Sequence, residues 1–158
     1  MSQELYYMGW DEFENITNNI LQKIRKENIH IDTIVPVLRG GAYLGNMLNN
    51  NIKNTDISYI HVRRSESNEK NSFLGTPVFK GITNVDKISG KDVLITDDML
   101  DKGVTMKFVI EEIKKLNPKS IKVAVLYNFT KLDDEQMYIV GASMEQKKWI
   151  VYPWEKEI

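Results

Sequence analysis

Residues 92–106, DVLITDDMLDKGVTM, run from an apolar, β-branched stretch into two acids and then into a glycine turn that opens a helix. DVLIT at 92–96 reads as a strand buried on both faces, because a short run of Val, Leu and Ile bounded by polar residues suits the middle of a covered sheet. Residues 104–116, with Val109, Ile113 and Leu116 on one stripe, read as the helix that follows. The same order recurs upstream, where TIVPVL at 33–38 meets Arg39-Gly40-Gly41 and a helix-like AYLGNMLNN at 42–50. ISYIHV at 57–62, IKVAVLY at 121–127 and the short YIVGA and WIVYPW segments near the end add further strands. Trp10, Phe13, Ile16, Ile20, Leu21 and Ile24 recur at helical spacing, so 11–26 is an amphipathic helix behind a candidate cap at Asp11.

Strands alternating with helices imply an open α/β fold whose twisted sheet is mostly parallel and flanked by helices, since parallel neighbours need long, usually helical crossovers. Ligands in such sheets bind beyond the carboxyl ends of the strands. The turns after Leu38, Thr96 and Tyr127 are therefore where chemistry is expected. The 158 residues, 42% of them hydrophobic, suit one domain with a sizeable core, taken as 1–158.

Composition removes several alternatives. Lys and Arg number 21 against 22 Asp and Glu, so no general field attracts nucleic acid or a membrane surface, and neither is expected as a partner. No stretch reaches the length of a membrane span, and the polar start lacks a signal-peptide pattern, so the expected compartment is cytoplasmic. The absence of cysteine excludes disulfides, thiolate catalysis and Cys-ligated zinc, while His30 and His61 are the only imidazoles.

In residues 93–106 each piece has a physical use. Backbone N–H groups of a glycine turn entering a helix can cradle a phosphate, helped by the helix dipole and by the Thr105 hydroxyl. A phosphate seated on Asp97 and Asp98 would be repelled. Those acids suit ribose hydroxyls, which donate hydrogen bonds, and Mg²⁺, which prefers oxygen ligands. Acids ahead of an anion nest fit a sugar phosphate.

The segment resembles the phosphoribosyl pyrophosphate signature of type I phosphoribosyltransferases: four apolar residues, two acids, two apolar residues, then Asp-Thr-Gly-x-Thr. The resemblance implies a Rossmann-like fold, Mg²⁺ as cofactor, phosphoribosyl pyrophosphate and a nucleobase as partners, and a homodimer. It implies that Asp97 and Asp98 hold the ribose hydroxyls directly or through the metal, and that Lys102, Gly103, Val104 and Thr105 wrap the 5-phosphate. Asp101 would exchange a proton with the imidazole ring of the base. Lys102 departs from the pattern, replacing a Thr or Ser hydroxyl with a charge.

Other segments are similar to the same family in the same order. VPVLRGGAYLG at 35–45 resembles its pyrophosphate loop, where Arg39 offers a fork to phosphate oxygens and Gly40 and Gly41 allow unusual backbone angles and close approach. Residues 63–86, with Arg63, Arg64, Lys70 and Lys80, occupy the place of a mobile loop that closes over the reactants and excludes water. FLGTPVFKGI within it could also form a short hairpin. KKWIVYPWEKE at 147–157 resembles the end of bacterial and archaeal xanthine-guanine phosphoribosyltransferases, so that 138–158 forms a base-binding tail. There Trp149 and Ile150 would make an apolar wall for a purine and Glu155 would lie near a second metal. A core aromatic is the alternative reading of Trp154.

Purine-specific members usually carry a Lys where this chain has Asn128. An amide both donates and accepts, which leaves a 6-oxo purine, a 6-amino purine or another heterocycle open, and Lys131 lies close by in sequence. The expected activity is phosphoribosyl transfer to xanthine, guanine or hypoxanthine. Transfer to a different base, or non-catalytic sensing of phosphoribosyl pyrophosphate or a nucleotide, are the alternatives.

Overall fold

The computed structural model describes residues 4–64 and 75–155. Nine strands and three α-helices appear there. In chain order they are β1 (Leu5–Tyr7), α1 (Trp10–Lys26), β2 (Thr33–Leu38), α2 (Gly41–Asn51), β3 (Asp56–Ile57), β4 (Ile60–Arg64) and β5 (Pro77–Ile82), then β6 (Asp92–Leu100), α3 (Val104–Lys114), β7 (Ser120–Asn128), β8 (Tyr138–Ala142) and β9 (Trp149–Val151).

The main sheet has the order β5-β4-β2-β6-β7-β8, with β3 also beside β2. Every pairing is parallel except β4 with β5. Side chains alternate between faces along β6 and β7, as the pleat requires. Leu94, Ala124 and Leu126 pack under α1 and α2, whereas Val93, Ile95, Val123 and Val125 pack under α3 with Met106, Val109 and Ile113. The two apolar layers explain why these strands read as unbroken hydrophobic runs. Among the described residues no helix is long and apolar enough to cross a membrane.

Several expectations change in detail. Helix α1 starts at Trp10 and uses Gly9 as its N-cap without a side-chain bond, while Asp11 sits in the first turn. Trp10 is exposed, although the rest of its stripe is buried. Strand β6 continues through both acids to Leu100, because Asp97, Met99 and Leu100 keep pairing with β7. Of the excursion expected at 63–86, Arg63 and Arg64 end β4 and Pro77–Ile82 forms β5 against it, so the described part of FLGTPVFKGI, from Gly75 on, contributes one strand paired with β4. Residues 65–74, with Lys70 and the closing loop expected there, lie outside the described residues.

Strand β1 has no counterpart in the sequence reading. It pairs in parallel with β9 to make a separate two-stranded sheet, joining the start of the described chain to its tail. Three residues give too short a run for periodicity to reveal. The partner, more than a hundred positions away, makes the strand.

Candidate active site at the carboxyl ends of the central strands

Strands β2, β6 and β7 lie side by side, so the segments following them open at one edge of the sheet. The turn after β2 begins with a cis peptide between Leu38 and Arg39. Gly40 and Gly41 have ordinary helical surroundings, with Gly40 at φ −59°, so the glycines are not needed for unusual angles as the sequence suggested. They are needed for space. A Cβ on Gly40 would run into the Asp98 carboxylate, and one on Gly41 into the Thr96 carbonyl and the Asp97 Cα. The buried Thr96 hydroxyl donates to the Gly41 carbonyl over 3.0 Å, which fastens α2 to β6 at this point.

Asp97 and Asp98 stand half-buried at the end of β6. Asp97 Oδ1 accepts from the Asp98 backbone N–H at 2.9 Å, and Asp98 Oδ1 accepts from that of Met99 at 2.8 Å. Burial first, and the neighbouring Asp98 charge second, push the Asp97 carboxyl well above the usual carboxylate range. Burial also raises Asp98; the bond from Met99 opposes this and the Glu155 charge adds to it. Two acids under such repulsion favour a cation or hydrogen-bond donors between them.

After Leu100 the chain turns through Asp101, Lys102 and Gly103 into α3. Gly103, at φ 78°, is its N-cap, and no side chain caps the helix. A side chain at that φ would be strained, and the N–H groups of the first turn, at Val104 and Thr105, have no intrahelical acceptor. Lys102 is exposed. Thr105 Oγ1 accepts from Arg64 Nε at 3.1 Å, which brings the end of β4 to the nest.

Two adjoining hollows share Asp98. One, about 580 Å³, is lined by Arg39, Gly40, Tyr43, Asp98, Trp154 and Glu155. The other, about 440 Å³, includes Arg64, Asp97, Asp101, Gly103, Thr105 and Trp149. A hollow of about 620 Å³ also lies between α1 and the segment before β9, where Glu12 Oε1 accepts from Tyr6 at 2.6 Å and from Tyr127 at 3.0 Å. It takes in part of the tail expected at 138–158 but none of Arg39, Gly40, Asp97, Asp98, Asp101, Thr105 or Trp149, so the site is assigned to the pair that meets at Asp98.

The tail is held over this edge by aromatic stacking. The Trp154 ring lies between Tyr43 at 4.1 Å and Tyr152 at 4.8 Å, each nearly parallel to it. Trp154 is thus a half-buried clamp between tail and α2, and it sets Glu155 beside Asp98. Glu155 Oε2 accepts from the Tyr152 N–H at 3.0 Å. Trp149, 57% exposed, presents its indole to the hollow that contains Asp101. Ile150 does not share that wall with its side chain, which is 5% exposed and belongs to the core, because neighbouring side chains of a strand face opposite ways. Trp149 N–H donates to Glu4 O and Val151 O accepts from Met8 N–H, so the pleat turns the Ile150 backbone groups away from β1.

Asn128 sits at the end of β7, half-buried, with its amide engaged locally. Its Nδ2 donates to Thr130 O at 2.8 Å and its Oδ1 accepts from Thr130 N–H at 3.1 Å. The sequence reading passed over one residue in particular: the Lys147 ammonium contacts Asp101 Oδ1. Its signal was alternation. Lys147 and Trp149 fall two apart, whereas Lys148 turns to Glu4 at 2.8 Å. The sequence marks Arg64 only as one of several basic residues in 63–86.

Among the described residues, three metal-competent side chains come within 4.8 Å of one another only at His30, Asp32 and Asp92, at the opposite ends of β2 and β6. The acids at the carboxyl edge therefore form an open set of oxygen donors rather than a closed cage.

Comparison with known proteins bears on this arrangement. The family described as "Phosphoribosyl transferase domain" matches residues 9–156. The crystal structure of a purine phosphoribosyltransferase from Pyrococcus horikoshii is 30% identical, superposes with a TM-score of 0.77, and the match covers 98% of this chain and 96% of that one. The xanthine-guanine phosphoribosyltransferase of Idiomarina loihiensis is 23% identical over 99% of this chain and 91% of its own length. The transcriptional regulator GfcR of Methanosarcina mazei is 28% identical over 68% of this chain and half of its own. The sheet order and the covering helices are those of the type I phosphoribosyltransferase fold.

Proposed function

The chain belongs to the phosphoribosyl transferase domain family, and from that premise we propose that it transfers the 5-phosphoribosyl group of phosphoribosyl pyrophosphate to a 6-oxo purine, releasing pyrophosphate. One observation carries this reading. The acid pair, the uncapped start of α3 and the exposed Trp149 indole line a single hollow, with the Arg39 turn across Asp98 from it. Those are the groups needed to hold ribose hydroxyls, a 5-phosphate, a flat base and a leaving pyrophosphate.

Residues 101–105 receive the 5-phosphate through backbone N–H groups and the Thr105 hydroxyl, with Lys102 and Arg64 supplying positive charge at the rim. Asp97 and Asp98 accept from the ribose hydroxyls. Arg39 meets the pyrophosphate, which approaches the backbone where Gly40 lacks a side chain. Trp149 stacks on the base. The base nitrogen's lone pair forms the bond to C1 of the ribose as the C1–O bond breaks, and pyrophosphate leaves with that electron pair. Asp101 accepts the proton that the base loses.

The donor set fits Mg²⁺. Asp97, Asp98 and Glu155 offer carboxylate oxygens in an open arrangement, and this ion commonly combines one or two carboxylates with water and substrate phosphate. When bound it neutralises charge on the pyrophosphate.

Purified protein with Mg²⁺ and phosphoribosyl pyrophosphate, tested against hypoxanthine, guanine, xanthine, adenine and the common pyrimidines, should release pyrophosphate with its highest kcat/KM for an oxo purine. The likeness to a transcriptional regulator, together with Lys102 in the phosphate loop, favours a second reading as a sensor of the donor or a nucleotide. Donor binding without release for any base would select it.

A further inference from the structure

The amide of Asn128 closes a turn onto Thr130 with both its donor and its acceptor, so the end of β7 presents no charged group to a base. A cation reaches the site from elsewhere. Lys147, in the segment leading into β9, puts its ammonium on Asp101 Oδ1, and Trp149 two residues later lines the same hollow as Asp101. The donor thus touches the acceptor, and the acceptor shares its hollow with the flat apolar surface.

We infer that Lys147 selects the base by donating to the exocyclic oxygen of a 6-oxo purine, supplying from the tail a cation that position 128 does not provide. The inference rests on Asp101 acting at the imidazole ring. On a 6-oxo purine that ring nitrogen and the 6-oxygen lie side by side on one edge, close enough for a single bidentate side chain to span them. An ammonium and a carboxylate in direct contact offer a donor and an acceptor at matching spacing: Asp101 takes the N–H and Lys147 gives to the oxygen. On a 6-amino purine the same position carries donors, which an ammonium cannot accept. Lys148 turns the other way, to Glu4 at 2.8 Å and the hollow beside α1. A structural role explains less, because Lys147 and Asp101 are 40% and 36% exposed and a pair so open to water adds little to stability.

The test compares kcat/KM for hypoxanthine and adenine in the wild type, in Lys147→Met and in Lys147→Met/Asn128→Lys, each checked by thermal melting. The wild type should prefer hypoxanthine. Lys147→Met should lower kcat/KM for hypoxanthine by roughly 10- to 100-fold, the worth of a hydrogen bond from a charged donor, without a matching loss for adenine or a change in KM for the donor. Asn128→Lys in that background should recover part of the preference. A hypoxanthine-to-adenine ratio unchanged in Lys147→Met, an equal loss for both bases, a raised donor KM, no recovery in the double variant or a wild-type preference for adenine would each overturn the inference while leaving the transferase intact. A wild type that releases no pyrophosphate with any base would take both down together.

Discussion

Arg64 Nε donates to Thr105 Oγ1 across 3.1 Å, tying the last residue of β4 to the first turn of α3. A guanidinium beside an uncapped helix start is placed to add charge-assisted bonds to a phosphate there. Arg64→Ala should therefore raise the KM for phosphoribosyl pyrophosphate about tenfold or more, with a smaller effect on kcat. Steady-state kinetics with the donor varied would show this; an unaltered donor KM would reduce the contact to a structural tie.

Asp101 holds the Lys147 ammonium and lines the same hollow as Trp149. Losing proton transfer to a positioned carboxylate costs about 10²- to 10⁴-fold, so Asp101→Asn and Asp101→Ala should each depress kcat by that order while donor binding, followed by calorimetry, persists. Wild-type turnover in either variant would remove the assignment.

Gly40 passes so close to Asp98 that a methyl group there would displace the carboxylate. Overpacking of this kind costs about 1–3 kcal/mol. Gly40→Ala should melt several degrees lower and bind the donor with Mg²⁺ at least tenfold more weakly. A variant with wild-type melting and donor affinity would mean that the turn yields without moving Asp98.

Burial raises the carboxyls of both Asp97 and Asp98, that of Asp97 well above the usual carboxylate range. A carboxyl raised on folding holds its proton more tightly in the folded chain. The pair thus favours folding at acidic pH, and that contribution is lost as pH rises through the folded values. Without metal, Asp97→Asn should melt above the wild type at pH 7–8, by roughly 2–4 °C for each kcal/mol relieved, and the difference should close toward pH 4. A gap that stays constant with pH would argue against charge as its source. The same variant should be nearly inactive.

The strands and helices that carry the site were legible because each is a local pattern. β2, β6 and β7 are short apolar runs between polar boundaries, and α1 shows five apolar positions at helical spacing that are all buried. The residues around Asp97 to Thr105 could be read as a sugar-phosphate site because strand, acids, glycine and helix start are consecutive. Spacing alone specified their neighbourhood.

What no local pattern contained was the partnership of segments far apart in the chain. β1 exists because it lies along β9, Trp154 is a clamp because Tyr43 and Tyr152 stand on either side of it, and Glu155 is near Asp98 because that clamp holds the tail. In sequence Asn128 is an amide at a strand end and Lys147 one of two adjacent lysines; the fold bonds the first to Thr130 and sets the second against Asp101. The sequence by itself determined the α/β class, the strand that bears the acids and the glycine turn into α3, since propensity, periodicity and turn chemistry act between near neighbours. Which cation meets Asp101, which aromatic opens onto its hollow and why a side chain at position 40 would meet Asp98 were decided by tertiary structure, because contacts, exclusion and alternation across strands depend on what packing brings together.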